Sequence, residues 1–423
     1  MLYLNKIKRQ LTFIMPVLFI FTCVTSFYAQ EAKGNPYLLQ VGVKDRIYSS
    51  VLNENRTLYI QFPADYHPEK GTKYPVAYLL DGEVFLPTLA EVQRYYSGGF
   101  TPEMILVGIS NETHRTRDLT ISKITEKYGM PFTEETGGAG NFQLFMEKEL
   151  IPYIESNYPV TGYRSLIGHS YGGLFTVYTL LTRPDLFANY LAIDPSLDWN
   201  NQEILTIAES KLSMQDFSSK SLFVSLSGQL HMQDTSITLE NVMEDASDFT
   251  LFARSNIMFR DLMHTKGQSG LQFNWKHYPK DLHGTVVFPS LMDGLISIFE
   301  WYQMENTDKI NSFDTPKNEL YAIVKYREEK LKSHFGYQEP PYPEELLNMS
   351  GYMNMDMEQL EKAKMYFEFA IAYYPQSANA YDSMADYYEA QGDVPNAIKY
   401  VQKAADLSDN DYYKNRLEAL KNK

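Results

Sequence analysis

Residues 164–181 read RSLIGHSYGGLFTVYTLL, a short apolar run followed by a glycine-rich turn and a helical pattern. The turn, GHSYG at 168–172, matches the G-x-S-x-G pattern. Glycine is required two positions before and two positions after the serine because side chains there would clash in so tight a turn. The pattern predicts that Ser170 takes a strained backbone conformation and projects its hydroxyl above a sheet, as a nucleophile must. The backbone N–H of Tyr171, at the start of the helix, is expected to face a developing oxyanion.

A serine hydroxyl is a weak nucleophile, so it needs a general base, which follows the serine along the chain in this strand–turn–helix arrangement. The histidines after the turn are His231, His264, His277, His283 and His334. His283 lies in YPKDLHGTVVFPSLMDGL, just past the last strand pattern and before a final helix pattern. A base at that place can reach over the sheet edge, so the sequence predicts His283 as the partner of Ser170.

An acid is expected to hold the histidine in the right tautomer and to stabilise its protonated form. Its expected place is after the strand at 221–226, in SGQLHMQDTSITLENVMEDASDF (227–249), which contains several carboxylates. Asp245 is the preferred acid because it lies just before the next helix pattern, and Asp234 is the second choice. A serine–histidine pair without a strong acid is the third alternative.

Apolar runs alternate with longer amphipathic stretches over residues 36–305. Runs such as YPVAYLL (74–80) and MILVGI (104–109) are apolar throughout, as expected for parallel strands that helices cover on both faces. The alternation predicts an α/β domain with a mostly parallel central sheet.

Composition excludes several classes of protein. The chain has 423 residues, and its 44% hydrophobic and 22% charged content excludes a disordered polymer. The net charge is −15, which argues against a nucleic acid as partner because an acidic surface repels phosphate. The single cysteine, Cys23, lies in the N-terminal apolar stretch, which excludes a cysteine hydrolase and a cysteine-based metal site.

Residues 1–30 begin with three cations, continue with an apolar run and end in small and polar residues. This order predicts a signal peptide over 1–29 and export, so that the protein is periplasmic or secreted. An uncleaved segment that anchors the protein in the membrane is the alternative. After cleavage, no membrane span is expected.

Residues 306–342 are polar and charged and end in a proline-rich run, which predicts a linker with one helix around Leu320–Leu331. Small and aromatic residues then recur at a spacing of 34 over residues 343–423, for example Ala363 with Ala397. This spacing resembles the tetratricopeptide repeat, in which small side chains stand where two helices cross. The resemblance implies an all-α repeat segment with a capping helix and a surface for a protein partner. A plain helical hairpin without a ligand is the alternative.

Further motifs occur in one order within residues 45–303. They are VAYLLDGEVF (76–85), ILVGISNETHRTRDLT (105–120), ELIPYIESNY (149–158), IGHSYGGLFTVYTLLTRPDLFANYLAIDPSLDW (167–199) and HGTVVFPSLMDGL (283–295). In these motifs the chain resembles the putative esterases of the α/β-hydrolase superfamily, a group that includes esterase D, feruloyl esterases and siderophore esterases. The resemblance implies an α/β-hydrolase fold, a catalytic pair of Ser170 and His283, and a second oxyanion donor in the backbone around Gly82. The chain departs from the family at Asp194, where serine is frequent.

Some side chains are candidates for contact with a substrate. Arg115 and Arg117 lie on one loop, and a guanidinium can bind a carboxylate through two hydrogen bonds. Pairing with a neighbouring carboxylate is the alternative for both arginines. Trp199, together with Tyr128 and Tyr171, is expected to line an aromatic pocket, with core packing as the alternative.

The residues and the resemblance together predict an exported serine carboxylic-ester hydrolase that acts through an acyl-enzyme on a small-molecule, siderophore or carbohydrate ester. His283 would deprotonate Ser170, and water would then hydrolyse the acyl-enzyme. This chemistry requires no metal and no organic cofactor. Two alternatives are an acyltransferase that uses the same site, and a catalytically silent hydrolase fold that presents the helical repeats to a protein partner.

Overall fold

The computed structural model describes residues 42–64, 66, 72–266 and 270–422. The predicted signal peptide (1–29) and Cys23 lie outside these residues. Val41–Lys423 form one compact unit. Within the described residues, no helix combines the length and the apolar character needed to cross a bilayer.

Among the described residues, eight strands form one sheet. They are β1 (Val43–Ser49), β2 (Glu54–Gln61), β3 (Tyr74–Leu80), β4 (Ile105–Ile109), β7 (Val160–His169), β8 (Asn189–Ile193), β9 (Ser221–Ser227) and β10 (Gln272–Tyr278). Their order across the sheet is β1-β2-β4-β3-β7-β8-β9-β10. β2 pairs antiparallel with β1 and β4, and every other neighbouring pair is parallel. The prediction of a mostly parallel sheet is confirmed.

A short hairpin lies outside this sheet and consists of β5 (Glu126–Lys127) and β6 (Met130–Pro131). Tyr128 (φ 52°) and Gly129 (φ 72°) form its turn, and both are left-handed, as two-residue hairpin turns of this kind require. Strands of two residues are too short for the alternation that predicts a strand from sequence. The sequence patterns therefore do not reveal this hairpin.

Helices cover both faces of the main sheet. They are α1 (Gly82–Tyr96), α2 (Arg115–Leu119), α3 (Ala139–Phe145), α4 (Ile151–Asn157), α5 (Tyr171–Thr182), α6 (Trp199–Leu212), α7 (Leu251–Lys266) and α8 (Val287–Ile298). Side chains of β3 alternate between two cores: Tyr78 packs on the face of α5, and Leu79 packs on the face of α8. Since neither face meets water, the strand reads as an unbroken apolar run.

The C-terminal region is entirely helical. Its helices are α9 (Thr307–Ile310), α10 (Lys317–Phe335), α11 (Glu344–Asp356), α12 (Leu360–Tyr373), α13 (Ala378–Ala390), α14 (Val394–Leu407) and α15 (Asp411–Lys421). α11 packs against α12 and α13 packs against α14, each pair across a short turn. A Cβ atom at Gly351 would lie 2.4 Å from Phe367 Cε1, which explains why this crossing of α11 and α12 takes glycine.

Helix α10 joins the two parts of the molecule. Leu331 and Phe335 pack in the core on the α8 face of the sheet, whereas Leu320 and Val324 pack in the core of α11 and α12. Between them, the buried Arg327 donates hydrogen bonds to the backbone carbonyls of Tyr302, Gln303 and Pro341. The segment expected to be a linker thus contains a 19-residue helix with contacts on both sides.

Candidate active site

Ser170 lies between the end of β7 and the start of α5, with φ 61° and ψ −116°. This is the strained conformation that the G-x-S-x-G pattern predicts. A Cβ atom on Gly168 would lie 2.2 Å from the backbone oxygen of Gly172, and one on Gly173 would lie 2.8 Å from Cβ of Pro195. Glycine is therefore a steric requirement at 168 and 173, whereas a Cβ atom on Gly172 would lie at an ordinary contact distance of 3.5 Å from the Leu80 side chain.

Hydrogen bonds fasten this turn to the end of β8. Ser170 N–H donates to the carbonyl of Ile193 (3.0 Å), and Ser196 N–H donates to the carbonyl of Ser170 (3.0 Å). Within the described residues, the side-chain partner of Ser170 Oγ is Ser196 Oγ, 3.3 Å away. The serine is thus held at the carboxyl edge of the sheet, where the ends of parallel strands meet.

His283 lies at the same edge and is held by Asp194. The imidazole Nδ1–H donates to Asp194 Oδ2 over 2.7 Å. The Asp194 carboxylate is fully buried, and its Oδ1 accepts a hydrogen bond from the backbone N–H of Ser227 (2.8 Å). Since Asp194 directly follows β8, the strand beside β7, the sheet itself fixes this acid near Ser170.

The structure does not bring Asp245, the acid that the sequence favours, to His283. Asp245 Oδ1 accepts a hydrogen bond from the backbone N–H of Ser247 (2.6 Å), and its Oδ2 lies 3.7 Å from His231 Nε2. Asp234, the second choice, caps its own turn at Ser236 N–H. Both carboxylates accept hydrogen bonds within the loop after β9. The position beside His283 is occupied by Asp194.

His169, the residue before the serine, supports the loop of His283. Its Nε2–H donates to the backbone carbonyl of His283 (2.9 Å), and the two imidazole rings lie 4.6 Å apart. The ring of Phe85 packs edge-on against His169 from the other side. Burial lowers the pKa of His169 to about 4, and the charge of His283 acts in the same direction. The side chain is therefore neutral at physiological pH.

We expect the burial of His169 to make the fold less stable in mild acid. In the unfolded chain the pKa of His169 is near 6.5, whereas in the folded protein it is about 4. Between these two pH values the unfolded chain therefore binds a proton at His169 that the folded protein does not bind. The contribution of His169 to the free energy of unfolding is fully present above about pH 6.5 and is lost as the pH drops toward 4. The loss between pH 7 and pH 5 is about 2 kcal/mol. Urea unfolding of the protein and of His169→Gln at both pH values measures this loss. Equal losses in the two proteins would contradict the assignment.

The candidate oxyanion donors both open a helix at this edge. Tyr171 is the first residue of α5, and Gly82 is the first residue of α1. The first N–H groups of a helix have no partner within it, so they are free to face an anion. The N–H of the preceding Asp81 already donates to Asn111 Oδ1 (3.0 Å). The two helix starts lie close together, since a Cβ atom on Gly172 would lie 3.7 Å from Asp81 Oδ2.

The two arginines are engaged in ion pairs. Arg115 donates to both oxygens of Asp81 (2.8 and 2.9 Å) and to the backbone carbonyl of His169 (3.2 Å). Arg117 pairs with Glu54 (2.6 Å) and Asp118 (2.7 Å). The structure therefore shows the alternative considered for both residues, pairing with a carboxylate of the protein: Arg115 connects α1 to the serine turn, and Arg117 fixes its own loop.

Trp199 is fully buried, so it does not line an open pocket as expected. Its Nε1–H donates to the backbone carbonyl of Ser122 (3.2 Å), and its ring packs edge-on against Tyr171 (5.2 Å). A further side chain near the serine turn, which the sequence patterns do not predict there, is Lys127 of the β5–β6 hairpin. Its Nζ donates a hydrogen bond to the hydroxyl of Tyr171 (3.2 Å). Nothing in the sequence around Lys127 indicates that it approaches the serine turn.

The chain is similar to known esterases. Residues 49–243 match the family described as putative esterase. The chain is 35% identical to the ferri-bacillibactin esterase of Bacillus subtilis, over 48% of this chain and 75% of that enzyme. It is 32% identical to a siderophore enterobactin esterase of Emericella nidulans, over 40% of this chain and 58% of that protein.

Among solved structures, an IroE-like serine hydrolase from Shewanella oneidensis superposes with a TM-score of 0.63. It is 29% identical, and the match covers 78% of this chain and 98% of that chain. The sequence identities and the shared fold point to the same group of enzymes. The chain belongs to the putative esterase family, and it is a carboxylic ester hydrolase.

Proposed function

We propose that this esterase is a serine hydrolase in which Ser170, His283 and Asp194 form the catalytic triad. The observation that carries the proposal is the hydrogen bond of 2.7 Å from His283 Nδ1–H to the buried carboxylate of Asp194, at the sheet edge that also holds the strained Ser170. The buried carboxylate fixes the tautomer that leaves Nε2 free to accept a proton. The order serine, acid, histidine along the chain is the order of the α/β-hydrolase triad.

The first step is attack of Ser170 Oγ on the ester carbonyl. The hydroxyl leaves its partner Ser196 and gives its proton to His283 Nε2, while Asp194 stabilises the imidazolium. Catalytic hydrogen bonds are often loose in the free enzyme and tighten around substrate, which accommodates the resting contact with Ser196. The N–H groups of Tyr171 and Gly82 then stabilise the oxyanion.

The second step releases the products. His283 gives its proton to the leaving alcohol, and the acyl group stays on Ser170 as an ester. His283 next takes a proton from water, whose hydroxide attacks the acyl carbonyl. The bond between the acyl carbon and Ser170 Oγ then breaks, His283 returns the proton to Oγ, and the carboxylic acid leaves. All of these transfers use side chains and backbone groups of the chain itself.

The substrate class that we propose is a siderophore ester. Support comes from the relatives, since the Bacillus subtilis and Emericella nidulans enzymes are both siderophore esterases. Carbohydrate acyl esters form the comparison class in the test below.

We expect the purified protein to hydrolyse a trilactone siderophore to its linear and monomeric units, and to hydrolyse a short-chain aryl ester as well. Liquid chromatography of the products, with an acetylated xylooligosaccharide as the comparison, distinguishes the substrate classes. A clear preference for the sugar ester would contradict the siderophore assignment. Absence of turnover on every ester would contradict the proposed function as a whole.

Export and the helical repeats complete the proposal. Residues 1–29 act as a signal peptide that directs the protein to the periplasm or the medium, on the support of their charge and hydropathy order. Residues 36–305 form the hydrolase domain, 306–342 the linker, and 343–423 tetratricopeptide-like repeats with room for a protein partner. The repeat assignment is supported by Ala363 and Ala397, which are 34 residues apart and both fully buried.

A further inference from the structure

Lys127 of the β5–β6 hairpin places a cation next to Tyr171, the residue that follows the candidate nucleophile. Its Nζ lies 5.1, 5.2 and 5.3 Å from the ring centroids of Tyr128, Tyr171 and Trp199. These three rings and Lys127 form what we call the lysine cage. Ring faces attract an ammonium group, so the cage holds the charge in place without neutralising it.

The cage borders the proposed active site. Tyr171 directly follows Ser170, and its hydroxyl accepts a hydrogen bond from Lys127 Nζ (3.2 Å). Arg115 also lies near Tyr171, with its guanidinium carbon 5.6 Å from the centroid of the ring. Two cations thus flank the residue after the nucleophile, in a chain whose net charge is −15. Each of them also lies beside a carboxylate, Asp81 for Arg115 and Asp198 for Lys127.

The two cations differ in how completely they are paired. Arg115 is bound by both oxygens of Asp81 at 2.8 and 2.9 Å. The carboxylate nearest to Lys127 is Asp198, whose Oδ2 lies 3.7 Å from Nζ and accepts a hydrogen bond from the Tyr128 hydroxyl. An ammonium group has three donors, and the contacts described here use one of them. Lys127, with one-fifth of its side chain exposed, therefore keeps the capacity to bind a further acceptor.

We propose that Lys127 determines specificity by binding an anionic group of the substrate, a carboxylate or a phenolate, beside Ser170. The inference rests on the proposed function for its kinetic part. An anion attached to an aromatic ring could bind the Lys127 ammonium group through its charge and stack against Tyr128 through its ring, because Tyr128 is partly exposed at the rim of the cage. Lys127 acts on the bound substrate and takes no part in the proton transfers.

The kinetic test uses two esters of equal length, 4-nitrophenyl valerate and 4-nitrophenyl hydrogen glutarate, which end in a methyl group and a carboxylate. We expect Lys127→Met to raise KM for the glutarate ester by about tenfold, which is typical for loss of one charged contact, and to change the valerate ester less than about twofold. Lys127→Arg should restore most of the difference. Lys123→Met, which removes an exposed charge four residues away, serves as the matched control.

A binding test separates this inference from the proposed function. Titration calorimetry with benzoate and with its neutral isostere benzamide should show tighter binding of benzoate to the wild type, and no such preference in Lys127→Met. Equal losses of kcat/KM for both esters, or an unchanged preference for benzoate in the variant, would overturn the role of Lys127. If the wild type hydrolyses neither ester, the proposed function fails, and the benzoate titration alone decides the inference.

Discussion

Replacement of Ser170 by alanine is expected to lower kcat for ester hydrolysis by at least about 10³-fold, because the acyl-enzyme cannot form without the hydroxyl. The substitution removes one oxygen from a turn whose shape is set by Gly168, Gly172 and the hydrogen bonds to β8. The fold should therefore be unchanged. The measurement is kcat and KM for an aryl ester, with circular dichroism to check the fold.

Ser196→Ala is the matched control for this prediction. Ser196 Oγ is the resting partner of Ser170 Oγ at 3.3 Å, so its removal takes away one hydroxyl from the same site. Since Ser196 transfers no proton in the proposed mechanism, we expect kcat to change by less than about fivefold, the size of one neutral hydrogen bond. Loss of activity in Ser196→Ala with retention in Ser170→Ala would exchange the roles of the two serines.

Asp194→Asn should produce the second largest loss, about 10²- to 10⁴-fold in kcat. The amide keeps the shape of the side chain but cannot accept the Nδ1–H of His283 and stabilise the imidazolium as a carboxylate does. The side chain of Asp194 is fully buried, and the amide oxygen of asparagine can still accept the hydrogen bond from the backbone N–H of Ser227. KM should therefore change little while kcat falls.

Asp245→Asn provides the comparison, because Asp245 is the acid that the sequence patterns favour. Its carboxylate caps the turn at Ser247, and an amide oxygen serves that hydrogen bond nearly as well. We expect kcat to remain within about twofold of the wild type, as for an ordinary surface substitution. A large loss in Asp245→Asn together with an active Asp194→Asn would show that the loop after β9 carries the acid in solution.

Local patterns are sufficient to predict the turn around Ser170 and the sheet that supports it. The steric demand for glycine at 168 follows from the turn alone, and the structure places Gly168 against the backbone of Gly172. At 172 the expected clash is absent, because a Cβ atom there would lie 3.5 Å from the Leu80 side chain. Apolar strands without alternation likewise indicate helices on both faces. His283 is predictable because it follows the last strand pattern, and the order of groups along the chain limits the alternatives.

The acid is harder to predict because it depends on which strands are neighbours. Asp194 follows β8, which lies directly beside β7 in the sheet, whereas the loop after β9 is one strand further away. Sequence alone does not give this order.

Pairing between distant segments accounts for the other corrections. The partner of Arg115 is Asp81, 34 residues earlier in the chain, and the partner of Arg117 is Glu54, 63 residues earlier. Residue type shows that a guanidinium can bind a carboxylate, but the fold decides whether that carboxylate belongs to the protein or to a ligand. The same reasoning applies to Lys127, whose cage assembles from three separate segments.

Peptide-level mass spectrometry after labelling with a fluorophosphonate tests the central claim most directly, because this reagent reacts with a serine that has been activated by a base. We expect one phosphonate adduct, on the peptide that contains Ser170, and a rate of labelling that falls by about 10²-fold or more in His283→Ala. A well-folded protein that forms no adduct, or one that is labelled on another serine at an unchanged rate in the variant, would contradict the account.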